Sequence, residues 1–299
     1  MMFSRSFIAG VLLAAGSELT GAFQLTPSPL SLKSNSLSLG PSALTPIRPS
    51  FKAASSRGGG AAGLRAMATD AEIKAEIMAP LLKGNKRWIE ESKAKDASFF
   101  DKLGTIHTPD VMWIGCADSR VTANEIIGAE AGQVFVHRNI ANVVMKQDMN
   151  LMSGLQYATD VLEVNHIIVC GHYLCAGVEA SLSADNFAPP LETWVSHIQD
   201  VYRLHQTELD SISDRQKRLD RLVELHVMEQ CLNIYDLALV QNRLEETKDD
   251  KEKKFPTPRI HGVVYDIGTG KIIKQNWWSL LDSTMEDPYG MEVTDIIKK

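Results

Sequence analysis

No apolar run in this chain of 299 residues approaches the roughly 18 residues that a membrane-crossing helix requires, so no membrane span is expected. Cysteine is sparse, with only Cys116, Cys170, Cys175 and Cys231. A disulfide framework belongs to small secreted domains. A chain that is 44% hydrophobic, with 5 Trp and 9 Phe, can bury a core without one. Metal binding or plain burial is therefore the expectation for these thiols. Acid is missing from one whole stretch: residues 24–65 contain neither Asp nor Glu. Residues 1–69 carry a formal charge of +5 against −6 overall, which leaves −11 on the remainder. That balance argues against nucleic acid as a partner of the folded part. There is no internal repeat.

The acid-free region has a pattern of its own. Residues 7–16, FIAGVLLAAG, form a short apolar run behind Arg5, fitting the apolar region of a signal peptide. Residues 24–65 are rich in Ser, Pro, Ala and Leu, a composition that cannot bury enough surface to fold. A signal peptide, then Phe23, then a basic and acid-poor segment resembles the bipartite presequence of algae with complex plastids. The expectation is a signal peptide over 1–22, a disordered transit peptide over 23–67, a folded domain over 68–299, and import into a chloroplast. The alternative is a secretory signal followed by a linker, which would send the chain to the ER lumen or outside the cell.

In the remainder, apolar residues at helical spacing from Ile73 to Ile89 predict an N-terminal helical arm, with Gly84 as a break. VMWIGC (111–116), QVFVHRN (133–139) and HIIVCG (166–171) read as strands, the first and third as buried ones. Residues 147–163, 191–209 and 213–245 read as helices, and 260–275 as a hairpin turning at Gly268 and Gly270. Strands alternating with helices imply one α/β domain: a mainly parallel central sheet, helices on both faces, and a C-terminal edge strand or hairpin. The charged run at 246–254 reads as a solvated loop.

Two strands end in metal-capable residues. The first ends at Cys116, and the third runs into His172 with Cys175 three residues on. Sites in open α/β sheets form beyond the carboxyl ends of the strands, so the two ends can face one crevice. Two thiolates and one imidazole suit Zn²⁺, and three protein ligands leave the open fourth position of a catalytic site. The competing reading is buried thiols and a core histidine. Asp118, two residues after Cys116, can be a metal ligand, the partner of Arg120, or a helix cap.

CADSRV (116–121), FVHRNIAN (135–142) and CGHYLCAGV (170–178) resemble, in order and spacing, the motifs of β-class carbonic anhydrases. The flanking segments VLEVNHIIVCGHY, ELHVMEQ and IHGVVY are similar to the bacterial-type branch of that class. The resemblance implies reversible hydration of CO2 to bicarbonate and a proton, with Cys116, His172 and Cys175 as zinc ligands. It implies that Asp118 alternates between Arg120, in the active state, and the metal, in the inactive one. It implies a second, regulatory bicarbonate pocket at Trp113, Arg138 and Tyr265, any one of which would singly read as ordinary packing or an ion pair. It implies assembly as a homodimer or homotetramer. Two thiolates offset the charge of Zn²⁺ and weaken it as a Lewis acid, so activity is expected to climb at alkaline pH.

One departure stands out. The family commonly has glycine after the second zinc cysteine, where this chain has Ala176, which would be strained at a positive φ. His107, His137 and His166 are candidate proton shuttles that the sequence does not rank, and Cys170 and Cys231 read as core. Two rivals keep the same scaffold: a COS or CS2 hydrolase, and a non-catalytic zinc-folded scaffold or bicarbonate sensor.

Overall fold

The computed structural model describes residues 78–105, 107–183 and 187–290. The expected signal and transit segments lie outside them. The described residues from 86 onward form one compact unit, which holds everything described below except the opening turns of the first helix.

That helix, α1 (Ala79–Lys95), runs straight through Gly84, so the expected break is absent. A single glycine costs a helix about 1 kcal/mol, which neighbouring turns absorb. Asp96 ends it and opens α2 (Phe99–Thr105) by accepting from the Ser98 amide at 2.9 Å. Trp88 meets Phe99 and Phe100 edge to face, at 6.1 and 5.3 Å between ring centres.

β1 (Val111–Cys116) follows, then α3 (Ala123–Ile127) and β2 (Val134–Asn139). A 3-10 turn (Ile140–Asn142) leads towards α4 (Met149–Gln156), capped by the Asp148 carboxylate, which accepts from the amides of Asn150 and Leu151. The helix expected over 147–163 changes its winding at Tyr157–Val161, a π turn, before β3 (His166–His172). Then come α5 (Ala176–Ser181), α6 (Leu191–Leu204), α7 (Gln206–Ser211), α8 (Arg215–Tyr235) and α9 (Ala238–Thr247). β4 (Arg259–Asp266) and β5 (Lys271–Gln275) close the sheet as a hairpin. Asp266 shapes its turn by accepting from the Gly268 amide, and Gly270 takes a φ of +74° there.

The five strands lie in the order β2-β1-β3-β4-β5, parallel except for the antiparallel edge strand β5. β1 and β3 are buried along their whole length, which is why both read as unbroken apolar runs, whereas β5 alternates as an edge does. From β1 the chain first adds β2 on one side and then β3 on the other. The chain thus reverses direction at β1, and a crevice opens beyond the carboxyl ends of β1 and β3.

Each face of the sheet has its own core. α8 lies across one, capped at its start by Asp214, which accepts from the Lys217 amide at 2.9 Å. It can approach because Gly171 and Gly262 lack side chains. A Cβ at Gly171 would stand 2.5 Å from Val227, and one at Gly262 would stand 3.1 Å from the Cys231 sulfur. The other face carries a smaller apolar cluster of Val111, Trp113, Ile168, Cys170 and Val263, with Ala123 of α3 on it.

Candidate metal centre and its cleft

β1 delivers Cys116 and β3 delivers His172 to the crevice, and Cys175 stands at the head of α5. Their donor atoms all lie within 4.8 Å of one another, all three residues are buried, and the two sulfurs are 4.0 Å apart. His172 faces the sulfurs with a bare nitrogen. Its Nδ1–H donates to the Tyr173 carbonyl at 2.9 Å, so the lone pair of the neutral ring lies on Nε2, which is buried and without a hydrogen-bond partner. An imidazole fixed in this tautomer by a backbone carbonyl is the usual state of a metal-ligating histidine. The donor set therefore fits Zn²⁺.

Leu174 makes the turn between His172 and Cys175 by adopting a φ of +58°. The positive φ thus falls at Leu174, while Ala176 is the first residue of α5. The glycine-to-alanine departure at 176 meets no positive φ, contrary to the strain considered above.

Burial and mutual contact separate the two thiols. Cys175 beside it, against the opposing effect of burial, holds Cys116 well below the usual thiol range. The amides of Asp118 and Ala141, each 3.4 Å from its sulfur, work in the same direction. Cys116 and then burial push Cys175 up, while the amides of Gly177 and Val178 at the start of α5 pull the other way. A divalent cation bound by the pair would displace any proton it retains. Burial alone raises Cys231, and burial is the main cause of the rise at Cys170, so both are inert core thiols, as expected.

Asp118 is held by Arg120. Its carboxylate accepts from the Arg120 amide (2.9 Å), Nε (3.0 Å) and Nη2 (2.7 Å), and the guanidinium keeps the carboxyl well below the usual range. Its Oδ2 is 3.9 Å from His172 Nε2, at the edge of the cluster. Arg120 Nη2 also donates to the Leu174 carbonyl at 3.2 Å, tying the Cys116 loop to the Cys175 loop. From β2, Arg138 donates through Nε to the Cys116 carbonyl at 2.9 Å and through Nη2 to the Asp118 carbonyl. A cleft of about 450 Å³ opens above Cys116, Asp118 and Cys175, and its walls are Ile140, Gly177, Ala180, Phe187 and Leu191. They are almost wholly apolar.

Trp113, Arg138 and Tyr265 occupy one face of the sheet, as the strand register requires. Trp113 is 1% exposed, and its indole Nε1 lies 2.3 Å from where a Cβ on Gly115 would be, so glycine there makes room for the ring. Tyr265 packs against the same apolar cluster, and its carbonyl accepts from the Tyr173 amide at 3.1 Å. Of the candidate proton shuttles, His166 is buried at the opposite end of β3 from the cluster and His107 is exposed ahead of β1. His137 stands half-buried on β2, where burial lowers its pKa.

Sequence reasoning missed the backbone donors, above all the Ala141 amide. Ala141 and Asn142 take φ values of 58° and 47°. Asn tolerates such a conformation, but an alanine gives no sign of it.

Residues 111–272 match the carbonic anhydrase family model. The carbonic anhydrase of Emericella nidulans is 46% identical over 190 residues, covering 64% of this chain and 79% of that protein. That of Pseudomonas aeruginosa is 29% identical over 200 residues, covering 65% and 86%. Among solved structures, a tetrameric β-carbonic anhydrase of Sordaria macrospora superposes with a TM-score of 0.60 at 34% identity, covering 66% of this chain and 95% of that one. The Coccomyxa β-carbonic anhydrase in complex with acetazolamide gives 0.61 at 34% identity, covering 67% and 86%.

Proposed function

Since the chain belongs to the β-class carbonic anhydrases and is a zinc enzyme interconverting CO2 and bicarbonate, we propose that Cys116, His172 and Cys175 hold its metal and that Asp118 orients the substrate water. The observation that carries this is the bare, buried His172 Nε2 within 4.8 Å of two sulfurs, with the ionised Asp118 at its side. Zinc bound there supplies Lewis-acid activation of water, tempered by two thiolates so that activity climbs at alkaline pH. Asp118 would accept a hydrogen bond from the substrate water and aim its lone pair into the cleft. Arg120 holds the Asp118 pKa down, so it remains a carboxylate even in mild acid. The apolar walls receive CO2, which carries no charge and needs no donor, and exclude competing water. One zinc per chain is expected for the wild type and for Asp118→Asn, and a loss of tight zinc for Cys116→Ala and Cys175→Ala, read by metal analysis after dialysis. Full zinc retention in either cysteine variant would contradict the assignment.

The regulatory reading extends this. Asp118 would exchange Arg120 for the metal and so shut out the substrate water, and bicarbonate at Trp113, Arg138 and Tyr265 would favour that state. Arg138 supports it, because the same guanidinium that would grip an anion holds the carbonyls of Cys116 and Asp118. An anion that draws Arg138 away frees the turn bearing Asp118. Cooperative inhibition by bicarbonate is expected in the wild type and is expected to vanish in Trp113→Ala. An unchanged pH response in that variant would count against the pocket. The bacterial-type flanks support membership of the bicarbonate-regulated branch, and the solved tetrameric relative supports assembly as a homodimer or homotetramer. The acid-poor leader supports import into a plastid. No described helix is long and apolar enough to cross a membrane.

A further inference from the structure

We propose that His226, on α8, is a positioning residue for the metal centre: by holding the Ala141 carbonyl it keeps the Ala141 N–H on the Cys116 thiolate and so sets how much charge that thiolate gives the metal. The inference rests on the zinc reading above. Two consecutive non-glycine residues, Ala141 and Asn142, stand in the left-handed region, which L residues avoid unless the surroundings impose it. One face of α8 imposes it here. His226 Nε2 donates to the Ala141 carbonyl at 2.8 Å. One turn on, Gln230 Oε1 accepts from the Val144 amide at 2.8 Å, and Asn233 Nδ2 donates to the Val144 carbonyl at 3.3 Å.

The tautomer follows from the partners. A carbonyl only accepts, so the His226 proton sits on Nε2, and Nδ1 is left to accept from Gln230 Nε2 at 3.4 Å. His226 is 1% exposed, and burial lowers its pKa to about 4, so it remains a neutral donor wherever the enzyme works. What it holds matters to the site. The Cys116 sulfur accepts from the amides of Asp118 and Ala141, both at 3.4 Å. An N–H on a thiolate draws charge away from it and leaves the metal the stronger Lewis acid. The Asp118 amide is fixed by its own turn, clamped by Arg138. The Ala141 amide depends on a backbone conformation that α8 maintains from the far side of the loop.

Two variants test this: His226→Leu, which removes the donor, and His226→Gln, whose amide nitrogen reaches to the place of Nε2. Each is read twice, by the pH profile of CO2 hydration in the zinc enzyme and by the sulfur-to-cobalt charge-transfer band of the cobalt-substituted protein. In His226→Leu the profile midpoint should move to higher pH by about half a unit or more, with the loss falling on kcat rather than KM, and the band should move to longer wavelength. His226→Gln should return both towards wild type. A His226→Leu protein that is merely less heat-stable, with midpoint and band where the wild type has them, overturns the proposal. If His226→Leu does not fold, Gln230→Leu, which strands the Val144 amide, should shift both readouts in the same direction, and unshifted readouts there overturn it equally. A wild-type zinc protein that fails to hydrate CO2 would strike the zinc-enzyme reading instead, and the cobalt band would still decide this one.

Discussion

At the scale of single residues, the candidate site holds the pKa of two groups below their ordinary ranges. Cys116 is pulled towards thiolate by Cys175 and two backbone amides, and Arg120 holds the Asp118 carboxyl below its usual range. Because the Asp118 pKa lies below the usual carboxylate range, acidification to around pH 5 should not protonate it, and any fall in activity there has another origin. Arg120→Ala should release the Asp118 carboxylate from two side-chain bonds and from its tie to the Cys175 loop. Turnover should drop by about 10²-fold or more while zinc stays bound, as stopped-flow hydration and metal analysis would report. A variant with near wild-type turnover would remove Arg120 from the mechanism. At this scale much was legible. Cys116, Asp118, Arg120, His172 and Cys175 announce themselves because scarce, reactive residue types crowd two strand ends. Ala141 and His226 do not, because a left-handed alanine and the histidine that holds it are linked only through the folded chain.

At the scale of elements, β1, β3 and the β4–β5 hairpin were readable because buried parallel strands are unbroken apolar runs and an edge hairpin alternates around glycine. The passage of α1 through Gly84 and the π turn after α4 were not, since packing outweighs a propensity near 1 kcal/mol. The starts of β3 and β4 also hold a buried relay that no pattern signals. Arg259 Nη2 donates to His166 Nε2 at 3.0 Å, which places the His166 proton on Nδ1, donating to His261 Nε2 at 2.9 Å. His261 is 2% exposed. Burial first, then His166, lowers its pKa to about 3, with Lys274 and Arg259 adding to the effect and Asp287 opposing it. The unfolded chain therefore binds a proton near pH 6.5 that the folded chain refuses until about pH 3. Stability from this group is complete above pH 6.5 and is lost as pH falls through that window, at about 1.4 kcal/mol per pH unit. His261→Gln, which can still accept from His166, should flatten the acid limb of stability against pH by one proton's slope in denaturant melts at stepped pH. An unchanged slope would contradict the assigned burial of neutral His261.

At the scale of the whole molecule, one topological fact organises the rest. Because β2 and β3 lie on opposite sides of β1, the carboxyl ends of β1 and β3 form a crevice, and His172 and Cys175, the proposed ligands beside Cys116, arrive from 56 and 59 residues further along the chain. α8 braces that crevice from behind, and the apolar cleft opens it to a small uncharged substrate. The same scaffold would also serve a protein that merely binds zinc, and the two readings part on turnover. The most direct test is stopped-flow CO2 hydration by the chain carrying one zinc, before chelation, after it, and after zinc is restored. Hydration well above the buffer rate, lost with the metal and regained with it, is the predicted result; a fully zinc-loaded protein that leaves the buffer rate unchanged would contradict it.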